Sequence, residues 1–106
     1  MRGAGSREVD FSVLEAYAAG DATFIREVLT LFRAEAAEWA AGLDPAADWR
    51  AVVHTIKGTS RTVGANGLGD LCERAEAQGD GLLPDVRAAL QAVLAEIADY
   101  LARLEA

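Results

Sequence analysis

The sequence predicts an all-α protein: an antiparallel four-helix bundle with a short additional N-terminal helix. Three observations carry this expectation. Apolar residues recur at intervals of three and four along most of the chain, and strand-like alternation is absent. The two prolines, Pro45 and Pro84, stand where the first turn of a helix would accept them. The connections between the long periodic segments are short, which favours antiparallel neighbours.

A short first helix is expected over residues 11–18, with Ser12 and Glu15 at capping-box spacing and Gly20 ending it. Asp21 can cap a second helix over 22–41, where Phe24, Ile25, Val28, Leu31, Phe32 and Trp39 recur at helical intervals and Gly42 stops the run. Asp44-Pro45 is read as the opening of a third helix that reaches residue 63, with Trp49, Val52, Val53, Ile56, Ser60 and Val63 on its inner side. Gly64 closes it, because glycine readily takes the left-handed conformation. A fourth helix is expected over 65–78, buried along Leu68, Leu71, Cys72 and Ala75, followed by a Gly79-Asp80-Gly81 loop. The fifth, over 84–104, carries Val86, Leu90, Val93, Ile97, Tyr100 and Leu104 in the steps of a bundle seam.

At 106 residues, 52% hydrophobic and 25% charged, the composition is that of one globular domain rather than a disordered chain. The expected organisation is a flexible tail over 1–8, or a cloning remnant, and a helical domain over 9–106. The net charge of −7 argues against general nucleic-acid binding, which needs a basic footprint. No apolar run has the length of a membrane span, and Met1–Ser6 lacks the apolar stretch of a signal peptide. Cys72, the only cysteine, falls in an apolar stripe and is read as a core residue. A reducing cytoplasm fits it. Only one bundle seam is visible, so a monomer is expected.

The chemistry is concentrated in His54-Thr-Ile-Lys57-Gly58-Thr-Ser60. The only histidine of the chain sits mid-helix, with Lys57 and Gly58 three and four residues later on the same face. Glycine in a helix costs roughly 1 kcal/mol relative to alanine, yet this alanine-rich chain places it beside the imidazole. Clearance for something bulky explains the choice. Arg50, His54, Lys57, Gly58 and Arg61 share the outer face and make a local positive strip on an acidic protein. A neutral imidazole is a nucleophile able to carry a covalent group. For a phosphoryl group, Lys57 would neutralise the charge.

These residues resemble the histidine-containing phosphotransfer (HPt) family. The matching residues are His54-Thr-Ile-Lys57-Gly58-Thr-Ser60, then Val63-Gly64-Ala65, Leu68, Cys72 and Glu76, preceded by Tyr17, Gly20-Asp21, Phe24, Glu27 and Phe32. The likeness spans residues 9–104. Ile56, Thr59, Val63 and Ala75 depart from the commonest family residues without removing the reactive group. The resemblance implies a four-helix bundle whose exposed histidine takes a phosphoryl group from one protein and passes it to another. His54 would be the phosphoacceptor, Lys57 would stabilise the phosphoryl group, and Gly58 would leave room for the partner's active site. Ser60 and Gly64 would permit close packing against the fourth helix. Glu76 would accept a hydrogen bond from one ring nitrogen and leave the other as nucleophile.

The implied partners are response-regulator receiver domains, a hybrid histidine kinase, or both, with no nucleic acid and no membrane insertion. Arg50, Lys57 and Arg61 would face them, beside an apolar docking patch. The magnesium and acidic pocket belong to the receiver in this family, so no cofactor or metal is expected here. The chain is expected to be a phosphohistidine carrier rather than an enzyme. It has no glycine loop of the nucleotide-binding kind and so no autonomous kinase activity is expected. Three alternatives stand beside this reading. One is the phosphoacceptor domain of a chemotaxis-type histidine kinase. Another is a docking bundle with an idle histidine and no phosphotransfer. The last is a metal or hydrolytic enzyme, against which the lack of paired Glu-x-x-His motifs counts.

Overall fold

The computed structural model describes residues 8–105, and no strand occurs among them. Residues 1–7 of the expected tail lie outside the described residues. The helices are α1 (Phe11–Tyr17), α2 (Ala22–Gly42), α3 (Trp49–Val63), α4 (Asn66–Gln78) and α5 (Leu83–Glu105), with a 3-10 turn at Asp80–Leu82 leading into α5. α2 packs on α3, α3 on α4, α4 on α5, and α5 back on α2, while α1 lies against α3. This is the antiparallel four-helix bundle with an additional short helix that the sequence predicts.

The seam explains the assembly. α2 buries Ile25, Leu29, Phe32, Ala36 and Trp39, and α5 buries Leu83, Val86, Leu90, Val93, Ile97 and Leu101. Both series advance in steps of three and four, so each helix turns one stripe inward. Burying each large aliphatic side chain contributes about 1.5–3 kcal/mol. Phe32 and Trp39 meet edge to face, with ring centroids 5.2 Å apart. Cys72 is fully buried, and burial, with the nearby charge of Glu76 adding to it, pushes its thiol up to about 12.

Several local expectations are corrected. Asp10, not Ser12, caps α1: its carboxylate accepts from the Ser12 amide at 3.1 Å. Asp21 caps α2 as expected, accepting from the Thr23 and Phe24 amides. α3 begins at Trp49 rather than at Pro45. Asp44 accepts from the Ala46 amide through its side chain and from the Ala47 amide through its carbonyl, so Asp44–Pro45 opens a closed turn instead of a helix. On α2, Phe24 and Leu31 face outward, 38% and 58% exposed. They belong to a second apolar series, one position ahead of the buried one. On α5 the seam ends at Leu101. Tyr100 is only partly buried, stacks on Phe11 with centroids 4.0 Å apart, and donates its hydroxyl to Glu15.

The α3–α4 connection is the sharpest in the bundle. Gly64 takes φ +93, and the Ala65 amide bonds back to the Ser60 carbonyl at 2.8 Å. Its bare Cα faces the Asp10 backbone, whose amide donates to the Gly64 carbonyl at 2.9 Å. Glu96 of α5 accepts from the Glu8 and Val9 amides, at 2.6 and 3.0 Å, and fixes the segment that packs there. Gly64 therefore makes its close approach to the segment before α1 rather than to the fourth helix.

Gly64→Ala is expected to destabilise the fold by about 2–4 kcal/mol, combining a left-handed backbone penalty with a clash against Asp10. Gly20→Ala, at φ +78 with open space around it, should incur the backbone penalty alone, about 1–2 kcal/mol. Urea denaturation of both variants checks this; equal losses would contradict it.

Candidate functional site

α3 carries most of the site because its two faces differ. Val53, Ile56, Ser60 and Val63 are buried against the bundle, and the turns between them carry His54, Lys57, Gly58 and Arg61 outward. The His54 side chain is 72% exposed. The inner face holds one polar group, the buried Ser60 hydroxyl, which has no hydrogen-bond partner among the described residues.

α4 runs alongside and supplies Glu76. Its Oε2 lies 2.9 Å from His54 Nδ1, and its Oε1 accepts from Lys57 Nζ at 2.6 Å. One carboxylate thus holds both residues. Its own backbone carbonyl accepts from Arg50 Nη1 at 2.9 Å, which ties the last turn of α4 to the first turn of α3. The Lys57 hydrogen bond, and then the His54 one, hold the Glu76 carboxyl below the usual carboxylate range. An ionised carboxylate at Nδ1 favours the tautomer with the proton there. The lone pair then sits on Nε2.

The surroundings are asymmetric. Toward α4 the positive strip expected from the sequence is compensated group by group: Lys57 by Glu76, and Arg61 by Asp70 at 3.0 Å and Glu73 at 2.7 Å. Toward α2 lies an open groove walled by Leu31, Glu35, Thr55, Gly58 and Thr62 beside His54. A Cβ at Gly58 would meet nothing within 4 Å, so the helix surface one turn from His54 is open. Leu31 continues an exposed apolar series with Phe24, which in turn lies against the exposed Tyr17, ring centroids 6.4 Å apart.

His54, Lys57, Gly58 and Glu76 come together in one place. Arg50 and Arg61 flank it, Ser60 lies behind it in the core, and Gly64 is at the far end of α3. The sequence reading missed Leu31 and Glu35 as groove walls and the Arg61–Asp70–Glu73 cluster. The Asp70, Glu73, Glu76 spacing of three was the available signal for the latter. No group of three or more potential metal ligands occurs among the described residues. No helix among them is long and apolar enough to cross a membrane.

Comparison with known proteins bears on the fold and the family. The crystal structure of histidine phosphotransferase ShpA from Caulobacter crescentus, at 1.52 Å resolution, is similar to this chain with 50% sequence identity and a TM-score of 0.84. The likeness covers 92% of this chain and 93% of that one. No curated protein matches the chain. The family model of the Hpt domain matches residues 23–106, and the chain belongs to that family.

Proposed function

We propose that the chain is a phosphohistidine carrier of a two-component phosphorelay, with His54 Nε2 as the phosphorylated atom. The observation that carries this reading is the double hold of Glu76 on His54 Nδ1 and Lys57 Nζ beneath an open imidazole. The donor is an aspartyl phosphate on a receiver domain. The Nε2 lone pair attacks phosphorus in line, the P–O bond to the aspartate breaks, and its electron pair returns to the carboxylate. The ring keeps its Nδ1 proton and becomes cationic, and the Glu76 carboxylate stabilises that charge. Lys57, beside the ring, balances the incoming phosphoryl oxygens. Transfer to a second receiver reverses each step. No proton has to move in either direction, which suits a group that must be passed on.

The empty space at Gly58 admits the receiver's active site. The exposed Tyr17, Phe24 and Leu31 series supplies apolar contact; of the expected rim cations Arg50 meets the acidic partner, while Lys57 and Arg61 are already paired with carboxylates of α4. Ser60 and Gly64 support the site through the packing of α3. The carrier reading requires no kinase activity of the chain itself, and places it in the cytoplasm, as a monomer, with the receivers and hybrid kinases it would serve.

His54→Gln is expected to abolish phosphoryl acceptance from phosphorylated receivers while the helical circular dichroism is unchanged. Label on the variant at the wild-type rate would overturn the reading. Glu76→Leu should slow acceptance by about 10–100-fold, the range for groups that orient a functional histidine; an unchanged rate in single-turnover assays would show the bridge to be incidental. Gly58→Gln should leave the fold as stable or slightly more so, by up to about 1 kcal/mol, and yet block transfer from a receiver. Thermal melting beside a transfer assay checks this, and full transfer by Gly58→Gln would contradict the clearance role.

A further inference from the structure

Glu76 is the last of three carboxylates on one face of α4, after Asp70 and Glu73. Residues three apart on a helix are neighbours, roughly 5–6 Å between Cβ atoms. Lys57 has a flexible four-carbon stem, so Glu73 is a competing partner one turn from Glu76. In the structure that competition is absent because Arg61 holds Glu73 at 2.7 Å and Asp70 at 3.0 Å. Arg61 follows Lys57 by one turn on α3 and faces the α4 turn before Glu76, so the pairs form an antiparallel ladder.

The arrangement has a backbone feature of its own. Gly69 is buried, and a Cβ there would sit 2.9 Å from Arg61 Cγ and 3.0 Å from its Nε. The arginine stem therefore lies directly across bare Gly69 backbone, which brings the guanidinium to both carboxylates. These pairs are well exposed, at 40% for Arg61, 71% for Asp70 and 61% for Glu73. Exposed ion pairs contribute little to stability, so stabilising the hairpin is a poor account of the arrangement.

We propose that Arg61 is a positioning residue for the His54 site: by occupying Asp70 and Glu73 it leaves Glu76 as the carboxylate open to Lys57, and so keeps the Glu76 bridge under the imidazole. This rests on the carrier reading for its purpose, but the geometry it controls exists in the unphosphorylated chain. The charged groups around His54 are Lys57 and Arg50 from α3, Glu76 from α4 and Glu35 from the α2 side of the groove. Without Arg61, two uncompensated carboxylates join them, one able to draw Lys57 away.

The test compares the intact chain with Arg61→Gln and with the triple variant Arg61→Gln/Asp70→Asn/Glu73→Gln. Two readouts are used: the 15N shifts of the His54 ring at fixed pH, and the rate of labelling by phosphoramidate. In that reaction Nε2 attacks phosphorus, the P–N bond breaks and ammonia leaves. Arg61→Gln is expected to slow labelling by about tenfold, in the range for an orienting group, and to move the ring shifts away from the Nδ1–H tautomer, with little change in melting. The triple variant should restore both. Arg61→Gln matching the wild type, or a loss that the triple variant does not repair, would overturn the proposal. If the wild type takes phosphoryl from phosphoramidate and from no receiver, the relay reading fails while the Arg61 comparison still decides this inference.

Discussion

The site depends on one carboxylate doing two things at once. Glu76 spans His54 Nδ1 and Lys57 Nζ, and neither bond survives unless α3 and α4 keep their register. A slip of one residue would turn Glu76 around the axis of α4, or His54 and Lys57 around that of α3, by about 100°, the rotation per residue of a helix with 3.6 residues per turn. The functional geometry is therefore a consequence of helix packing rather than of local hydrogen bonding.

That register is fixed from both ends. At the connecting end, Gly64 reverses the chain in two residues between Val63 and Asn66, and the Asp10 backbone closes over it. At the far end, Arg50 holds the Glu76 carbonyl. Between them Val53, Ile56, Leu68 and Cys72 are fully or almost fully buried. The core has no slack for α4 to slide, since interiors are packed at crystal-like density. The packing that makes a four-helix bundle thus also holds a carboxylate against one nitrogen of an exposed ring on its surface.

Much of this was legible in the chain. The steps of three and four in α5 and the caps at Asp21 and Gly64 gave four helices and their order, because burial of one stripe dominates helix packing. The local errors have local causes. Asp44 could cap a helix or close a turn, and its side-chain bond to the Ala46 amide fits both; the start of α3 at Trp49 shows that it closes a turn. Ser12 fits a capping box, but Asp10 accepts from the Ser12 amide itself, so the helix has already begun, at Phe11, before Ser12 could cap it. α2 carries two overlapping apolar series, and the sequence does not say which faces the core; Ile25, Leu29 and Phe32 do, and Phe24 and Leu31 lie outside. At the site, the histidine, lysine and glycine follow from spacing along one helix. The compensation of Lys57 and Arg61 does not, because it depends on which face of α4 meets α3.

The most direct test is to phosphorylate the 15N-labelled chain and read the phosphorus–nitrogen coupling and long-range proton correlations of the His54 ring. The account predicts phosphorus on Nε2, with the proton retained on Nδ1 against Glu76. Phosphorus on Nδ1 would contradict it, because that nitrogen could be reached only after the Glu76 bridge had been broken.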